Sequence, residues 1–313
     1  MVPAASTGGH GTRVLVAGAT GYLGRRLVPR LVARGHIVRA LVRGGEARAR
    51  AFPHLSGCEI AEGDVLDPAS CAGAALGCDA IAHLVGIIKE QGLATFDAVH
   101  VGGTVALVQA ARHAGVGRFL YVSALGARRD APTAYWRTKA VAEETVANSG
   151  LSWIILRPSL VLARDGEFYK VLRQLTAFGI VPVLGSGTSK LAPVLADDLA
   201  DLEAAAFDAG PERASAWNRV HTVCGSEAIP FNELLRRTAK GRGRPALLVH
   251  VPLVFARPLV EALARVLPDP PVTPGQLAML LEDSTCDPAP AARAFGVTLH
   301  PIGAVLGRAQ ESP

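Results

Sequence analysis

Tyr135 and Lys139 are the residues of this 313-residue chain whose types and spacing best suit acid–base chemistry. They stand four positions apart in a stretch that we predict to be helical over 133–149, so both side chains would lie on one helix face. A lysine ammonium beside a phenol favours the phenolate and would lower the pKa of the tyrosine from about 10. The pair therefore predicts proton exchange with a carbonyl or an alcohol. The simpler alternative is a buried tyrosine beside a solvated lysine.

A glycine-rich turn near the start of the chain could bind phosphate. An apolar run at 14–17 predicts a strand before it, and an amphipathic run at 25–34 predicts a helix after it. Such a turn lets the backbone approach a pyrophosphate, and the helix N-terminus offers free N–H groups. The context predicts a dinucleotide site, the alternative being a tight strand–helix turn without ligand. The expected nucleotide contacts in this turn are Gly18, Thr20, Gly21, Tyr22, Leu23 and Gly24.

The end of the second predicted strand, 37–42, indicates which nucleotide is bound. An NAD site carries a carboxylate there for the ribose 2′-hydroxyl, but this chain has Arg43 and no acid before Glu46. A guanidinium can bind a 2′-phosphate through two hydrogen bonds, whereas a carboxylate would repel it. We therefore predict NADP(H) rather than NAD(H), although Arg43 could also be an ordinary solvated charge. Three nearby arginines could assist it: Arg25, Arg39 and Arg48.

Composition indicates a globular protein and does not favour a nucleic acid as its partner. Half of the residues are hydrophobic and 19% are charged, and the length allows a full core. The net charge of +5 comes mostly from scattered arginines, which does not predict nucleic-acid binding. The one basic cluster, 236–244, is either a solvated helix end and loop or a contact for anionic lipid or a partner.

The five cysteines are an odd number and form no Cys-x-x-Cys pair, so we expect neither a disulfide framework nor a metal site. A reducing, cytoplasmic compartment fits this pattern. Residues 1–12 lack the features of a secretory signal, and no run of eighteen apolar residues predicts a membrane span. The cysteines are Cys58, Cys71, Cys78, Cys224 and Cys286.

Short β-branched runs alternate with helical stretches in the first half of the chain, which predicts an α/β fold with a Rossmann-like, doubly wound parallel sheet. We predict a dinucleotide-binding domain at 12–160 and a smaller substrate or partner lobe at 161–313, some segments of which can return to the sheet. The predicted strands are 13–18, 37–42, 58–61, 79–85, 118–123 and 152–157. The predicted helices are 22–34, 68–75, 95–114 and 133–149, and the lobe adds helices at 196–208 and 231–240 and a strand near 217–223.

Residues 257–267 predict an amphipathic helix with Pro258 in its first turn. Arg257, Glu261 and Arg265 recur every fourth residue and share one face. The other face is apolar and consists of Leu259, Val260, Leu263, Val266 and Leu267. The segment is either a surface helix of the lobe or a helix docked on a membrane surface or a partner.

These motifs together resemble the atypical extended short-chain dehydrogenases/reductases over residues 12–225. The resemblance rests on Gly18-x-x-Gly21-x-x-Gly24, Asp64-Val65, Tyr135-x-x-x-Lys139 and Arg157-Pro158-Ser159. Stretches 83–88, 122–127 and 135–143 are similar to the subgroup of the 39-kilodalton accessory subunit of respiratory complex I. Bacterial members are labelled NAD(P)-binding proteins or nucleoside-diphosphate-sugar epimerases. The resemblance implies catalysis by Tyr135, Lys139 and a serine, for which Ser123 is the candidate. It also implies nucleotide contacts at Asp64, Val65, Leu84, Lys139 and Pro158.

Two positions depart from the family pattern. His100 replaces the usual asparagine, either as a polar relay or as a structural histidine, and Ala124 occupies the usual serine position, one residue after Ser123. Asp197 is expected to be a helix N-cap. These features leave three functions open. The protein is an NADP(H)-dependent oxidoreductase or an epimerase-like enzyme, a non-catalytic NADPH-binding accessory or assembly protein of a respiratory NADH dehydrogenase at the inner face of the membrane, or a redox sensor.

Overall fold

The computed structural model describes residues 11–208, 215–243, 245–267, 270 and 272–306. Residues 1–10, considered above as a possible secretory signal, lie outside these ranges. Arg244 of the basic cluster also lies outside them. In chain order the strands are β1 (Arg13–Ala17), β2 (Ile37–Val42), β3 (Glu59–Glu62), β4 (Ala80–His83), β5 (Arg118–Val122), β6 (Ser152–Pro158), β7 (Val161–Leu162), β8 (Ile180–Leu184), β9 (Lys190–Leu191), β10 (Val194–Leu195), β11 (Arg219–Val223), β12 (Ile229–Pro230) and β13 (Leu247–Val251).

Seven of these strands form one parallel sheet in the order β11-β6-β5-β4-β1-β2-β3. β1 lies inside the sheet, where Val14 is in register with Val38 of β2 on one side and Ala80 of β4 on the other. β1 is apolar from Val14 to Ala17 because both of its faces are covered, which is typical of a parallel sheet. Chain order reverses at β1, so the strand ends there open a crevice of the kind that binds nucleotides.

Twelve helices accompany the strands in the described residues. They are α1 (Gly24–Ala33), α2 (Gly45–Ala49), α3 (Pro68–Ala75), α4 (Gly103–Ala114), α5 (Ala134–Ala147), α6 (Glu167–Leu175), α7 (Ala196–Ala205), α8 (Phe231–Gly241), α9 (Leu253–Val266), α10 (Pro274–Leu281), α11 (Ala289–Phe295) and α12 (Gly303–Leu306). A 3-10 turn occupies Pro53–Leu55, and a π-helical stretch, Asp97–Gly102, leads directly into α4.

Helices cover both faces of the sheet. Val14 and Val16 of β1 pack in a core with α1, α7 and α11, whereas Leu15 and Ala17 pack on the opposite face with α3, α4 and α5. A third apolar cluster lies in the C-terminal lobe and includes α6, α8 and the inner face of β8. The predicted doubly wound α/β fold with a smaller lobe is confirmed. β11, beyond the predicted boundary at 160, returns to the sheet beside β6.

Cys224 and Cys286 form a disulfide, with 5.7 Å between their Cα atoms. Cys224 directly follows β11, and Cys286 precedes α11, so the bond joins the lobe segments to the edge of the sheet. The expectation that no cysteines are paired is therefore wrong, because two cysteines 62 positions apart meet only in the folded chain. Cys58, Cys71 and Cys78 remain free thiols.

Two further expectations are corrected. Asp197 is not an N-cap: Leu195 takes that position without a side-chain cap, and Asp197 in the first turn of α7 pairs with Arg30 of α1 at 2.9 Å. Pro258 does not start a helix either, because α9 begins at Leu253 and contains Pro258 in its interior. In the described part of the chain, no helix combines the length and apolar character needed to cross a bilayer.

Candidate functional site

The predicted site residues meet at the carboxyl edge of the sheet. Gly18 follows β1, Arg43 follows β2, Asp64 comes two positions after β3, Leu84 follows β4, and Ser123 follows β5. Parallel strands bring these ends together even though the residues are far apart in sequence. Pro158 closes β6 at the same edge. The fold therefore assembles one crevice from residues that the sequence analysis had identified separately.

The glycine turn closes tightly around the carbonyl oxygen of Gly18. The amide of Gly21 donates to the carbonyl of Gly18 (2.9 Å), and Gly18 has a positive φ of 95°. A Cβ on Gly24 would lie only 2.2 Å from the oxygen of Gly18, so α1 can begin there only with a glycine. A Cβ on Gly21 would meet that same oxygen at 3.1 Å and nothing else closer than 4.0 Å. Gly21 therefore leaves open space on the outer side of the turn.

The backbone and aromatic groups that follow Gly21 are suited to an anionic ligand. In the described residues, no acceptor is bonded to the amides of Tyr22 and Leu23, and no side chain caps α1. The Tyr22 ring carries the guanidinium of Arg26 at 4.8 Å from its centroid, and burial raises the pKa of Tyr22 to about 12. Leu84 adjoins the turn, since its Cβ lies 3.3 Å from the position of a Cβ on Gly18.

The opposite end of the crevice carries Arg43 and Asp64. The Arg43 side chain is 83% exposed, and its guanidinium lies 3.8 Å from the Asp64 carboxylate. Asp64 also accepts a hydrogen bond from the amide of Leu66 (3.0 Å), which shapes the loop after β3. Val65 is buried in the core beneath this loop. Arg43 is thus an exposed cation with a loose ion pair to Asp64.

The three arginines predicted to assist Arg43 are engaged elsewhere. Arg39 bonds Glu59 (2.9 Å) and the carbonyl of Ala74 (3.0 Å), and Arg25 pairs with Asp165 at 3.0 Å. Arg48 lies over the ring of Phe52. The prediction that they help to bind the phosphate finds no support in these contacts.

Lys139 is held at the carboxyl end of β5. α5 begins after Thr133, whose hydroxyl caps the helix, and this places both Tyr135 and Lys139 in its first two turns. The Lys139 ammonium donates to the carbonyl of Val122 (2.9 Å) and lies 4.8 Å from the centroid of the Tyr121 ring. A Cβ on Gly86 would lie 3.1 Å from Lys139 Nζ, so the glycine makes room for an ammonium that is itself buried.

Burial sets the protonation of the site. It raises the pKa of Tyr135 to about 12 and lowers the pKa of Lys139 to about 7, with Glu143 opposing the second shift. The expected lowering of the Tyr135 pKa by Lys139 is therefore not present in the free protein, because desolvation of the phenol dominates. Tyr135 is a neutral proton donor at neutral pH, and Lys139 can gain or lose a proton there.

His100 is a buried, neutral histidine beside this pair. Burial, followed by the charge of Lys139, lowers the pKa of His100 to about 3. Its ring contacts Thr138 through Nδ1 (2.9 Å) and the backbone of Ile87 through Nε2 (3.1 Å), and it stacks on Phe96. These contacts are structural, although they join the loop after β4 to the helix that carries Tyr135.

The candidate serine and the alanine that follows it have different surroundings. Ala124 packs in a small cluster with Tyr135, Trp136 and Ala131, whereas Ser123 is only 3% exposed. The Ser123 hydroxyl has no hydrogen-bond partner among the described residues. The place of the usual serine beside Tyr135 is therefore taken by a methyl group, and catalysis by Ser123 stays a prediction.

Two functional contacts were missed by the sequence analysis. Glu143 of α5 pairs with Arg157 of β6 (2.8 Å), which fixes the catalytic helix to the sheet, and both residues stand in the motifs that carried the resemblance. Met279 of α10 packs against the cluster that includes Tyr135. The α10 end is held there by Arg128, which bonds Glu282 at 3.2 Å. No sequence signal pointed to Met279, because it comes from a distant segment of the lobe.

The chain is similar to known NAD(P)H-binding proteins. The chain matches the family described as NAD(P)H-binding over residues 18–182. It is 27% identical to a 2-alkyl-3-oxoalkanoate reductase of Stenotrophomonas maltophilia, over 91% of this chain and 94% of that one. It is 30% identical to the mitochondrial NADH dehydrogenase [ubiquinone] 1 alpha subcomplex subunit 9 of Arabidopsis thaliana, over 73% of this chain and 58% of that protein.

The fold also matches solved structures. An NADPH-dependent quinone oxidoreductase from Escherichia coli superimposes with a TM-score of 0.73 at 19% identity, over 94% of this chain and 98% of that one. The family match, the curated relatives and the parallel sheet agree with one another. The chain belongs to the NAD(P)H-binding proteins of the extended short-chain dehydrogenase/reductase type.

Proposed function

We propose that this protein is an NADP(H)-dependent oxidoreductase that interconverts a carbonyl and an alcohol on an apolar substrate. The observation that carries the proposal is the convergence of Tyr135, Lys139 and the open glycine turn on one crevice. The relative from Stenotrophomonas maltophilia, a 2-alkyl-3-oxoalkanoate reductase, supports a carbonyl substrate with alkyl groups. An epimerase acting on a nucleotide sugar is less well supported, since the groups around Tyr135 are apolar.

The residues present suit a dinucleotide. The free amides after Gly21 would bind the pyrophosphate, Asp64 and Val65 would border the adenine end, and Arg43 would bind the 2′-phosphate. Lys139 would bond the ribose hydroxyls, and Leu84 and Pro158 would border the nicotinamide half of the crevice. A bound nicotinamide supplies or accepts the hydride at the substrate carbon.

Tyr135 performs the proton transfer in this proposal. In the reducing direction its hydroxyl donates a proton to the carbonyl oxygen, and in the oxidising direction the phenolate takes that proton from the alcohol. Lys139, with a pKa of about 7, is a charge partner whose proton can replace the one that Tyr135 gives up. His100 stays neutral and acts by holding the Ile87 loop against α5. Ala124 offers no hydroxyl, so Tyr135 alone would position the carbonyl oxygen.

Replacement of Tyr135 by phenylalanine tests this function. Tyr135→Phe should reduce NADPH-dependent turnover of a panel of aliphatic ketones and 3-oxo esters at least about 100-fold, because acid–base catalysis contributes that much. NADPH affinity, measured by fluorescence titration, should stay unchanged. Tyr169→Phe is the matched control, since Tyr169 lies in the core of the lobe. Equal turnover by wild type and Tyr135→Phe would contradict the proposal.

A second candidate function is an NADPH-binding accessory role in a respiratory NADH dehydrogenase. The methyl group of Ala124 at the usual serine position and the similarity to the Arabidopsis thaliana subunit favour it. In the native host, Gly21→Val would then impair assembly of the complex whereas Tyr135→Phe would not. Loss of one specific turnover in both variants, with normal assembly, would support the enzyme instead.

A further inference from the structure

The exposed apolar side chains of this protein are concentrated in one part of the lobe. Among the described residues, sixteen large apolar side chains are exposed, and nine of them lie within 178–180 and 247–267. Scattered apolar residues are normal on a protein surface, but a contiguous group marks an interaction site. The nine are Phe178, Ile180, Leu247, Val249, Val254, Phe255, Leu259, Val266 and Leu267.

The strands β8 and β13 contribute one uncovered face. They pair in parallel, with Ile180 opposite Leu247 and Pro182 opposite Val249. All four side chains are exposed. Val181 and Val183, which alternate with Ile180 and Pro182 along β8, lie in the lobe core. Side chains alternate across a strand, so the outer face of this two-stranded ribbon is apolar throughout. Phe178, 89% exposed, extends that face at the beginning of β8.

Helix α9 follows β13 directly after Pro252. It packs on the rest of the lobe through one narrow side. Only Ala256 and Val260 of its fourteen residues are buried. Phe255, Leu259 and Val266 are spaced by four and seven residues, so they form one stripe on the outer side. The apolar face predicted for 257–267 is therefore divided: Val260 is buried, whereas Leu259 and Val266 are exposed. Together with the ribbon face, this stripe defines what we call the apolar–basic surface.

The same segment is strongly cationic. Residues 236–267 contain seven lysines and arginines and a single acid, Glu261, although Arg237 pairs with Glu227 and Glu233 outside the segment. Arg257 and Arg265 are exposed on α9, and Glu261 approaches Arg265 only at 3.9 Å. At the other end, the Arg242 guanidinium contacts the carbonyl of Arg173. The amide of Leu247, the first residue of β13, donates to the carbonyl of Gly179 (2.8 Å). Cationic groups therefore border the apolar face at both ends.

We infer that the apolar–basic surface docks on the interface of an anionic lipid bilayer. Exposed apolar side chains bordered by arginine and lysine match a layer of acyl chains beneath negative headgroups. A second copy of this chain would bring like charges together, so self-association through this surface is disfavoured electrostatically. Docking of this kind places the protein at the surface of the membrane.

Vesicle flotation tests the inference with the full chain at physiological salt. We expect binding to vesicles of phosphatidylcholine with about 30% phosphatidylglycerol, because this anionic lipid gives the vesicle a negative surface. The double variant Phe255→Ser/Leu259→Ser should weaken that binding at least tenfold. Arg257→Gln/Arg265→Gln should weaken it by more than tenfold, because each basic residue near an anionic surface contributes a factor of about five.

Control variants and measurements distinguish loss of membrane docking from unfolding of the protein and from binding of a second copy to the surface. Leu76→Ser and Arg50→Gln remove an exposed apolar and an exposed basic side chain elsewhere and should leave binding unchanged. Unaltered thermal unfolding of each variant would show that the fold is intact. Absence of binding to anionic vesicles, or equal binding to pure phosphatidylcholine, would overturn the inference. A concentration-dependent dimer that Phe255→Ser/Leu259→Ser abolishes would overturn it in favour of a second copy.

Discussion

The Nδ1 atom of His100 lies 2.9 Å from the hydroxyl oxygen of Thr138, one residue before Lys139. The Thr138 hydroxyl donates to the carbonyl of Ala134 (2.9 Å), so its oxygen accepts the proton of Nδ1. Nε2 of the same ring lies 3.1 Å from both the amide nitrogen and the carbonyl oxygen of Ile87, and in this tautomer it accepts from the amide. One neutral imidazole thereby joins the helix of the catalytic pair to the loop that follows β4.

His100→Ala should weaken both the fold and the site. It leaves buried groups of Thr138 and Ile87 without partners, at about 1–3 kcal/mol for each group. Urea unfolding measures this loss, and kcat should fall more than KM rises, since the position of Tyr135 changes. His100→Asn should recover part of both losses. His113→Ala, an exposed histidine of α4, is the control, and an equal effect of the two alanine variants would contradict the assignment.

Arg43→Ala should reduce NADPH affinity by about 10- to 100-fold, because a hydrogen bond to a charged group contributes about 1.5–3 kcal/mol. NADH affinity should change little, since NADH has no 2′-phosphate. Parallel titrations of both nucleotides against wild type and variant measure this difference. Arg50→Ala removes another exposed arginine as the control. Equal affinity of the wild type for NADH and NADPH would refute the proposed preference.

The glycine turn predicts two different outcomes at two neighbouring glycines. Gly24→Ala places a Cβ 2.2 Å from the Gly18 oxygen, so it should destabilise the fold by roughly 1–3 kcal/mol. Gly21→Val should leave the fold nearly intact but abolish nucleotide binding, since its side chain would fill the space above the turn. Thermal unfolding and NADPH titration separate the two effects. A Gly21→Val protein that binds NADPH normally would show that the site lies elsewhere.

Glu203 of α7 should make stability depend on pH. Its two carboxylate oxygens are buried and have no hydrogen-bond partner in the part of the chain that the structure describes. Burial raises its pKa from the ordinary 4.5 to about 8, with Arg30 opposing the shift. The folded protein therefore binds a proton that the unfolded chain has lost, so this group lowers the free energy of unfolding as pH rises from about 4.5 to about 8.

Glu203→Gln should remove this dependence and stabilise the protein by roughly 2–4 kcal/mol at pH 8, from a shift of several pKa units at 1.36 kcal/mol each. Urea unfolding at pH 5 and pH 8 provides the measurement. Glu261→Gln, at an exposed position of α9, should leave the profile unchanged. An unaltered slope in Glu203→Gln would show that this carboxyl is ionised in the folded state.

The order and type of elements around the sheet were predictable because a buried parallel strand and an amphipathic helix have distinct periodicities. The prediction of 37–42 coincides with β2, and that of 68–75 coincides with α3. Features that depend on distant segments were not predictable. Three such features depend on how the lobe folds back: the Cys224–Cys286 bond, the packing of Met279 on the Trp136 cluster and the exposure of Leu259. No local pattern encodes such contacts.

The site was predictable in its residue types but not in its protonation. The Tyr135–Lys139 spacing correctly places both residues on α5 beside the strand ends. The pKa values of the pair depend on desolvation, which the spacing of residues does not report. The histidine at position 100 likewise became interpretable only with its partners Thr138 and Ile87 in view.

The bond between Cys224 and Cys286 closes residues 225–285 into a covalent ring. That ring contains Met279, which packs on the Trp136 cluster, and the β13 and α9 part of the apolar–basic surface. A protease that cuts the backbone anywhere inside the ring would leave a nicked molecule whose two pieces remain linked. The nicked protein would run as one species on a non-reducing gel and as two after reduction. The segment that carries Met279 thus cannot be lost from the molecule by a single cut.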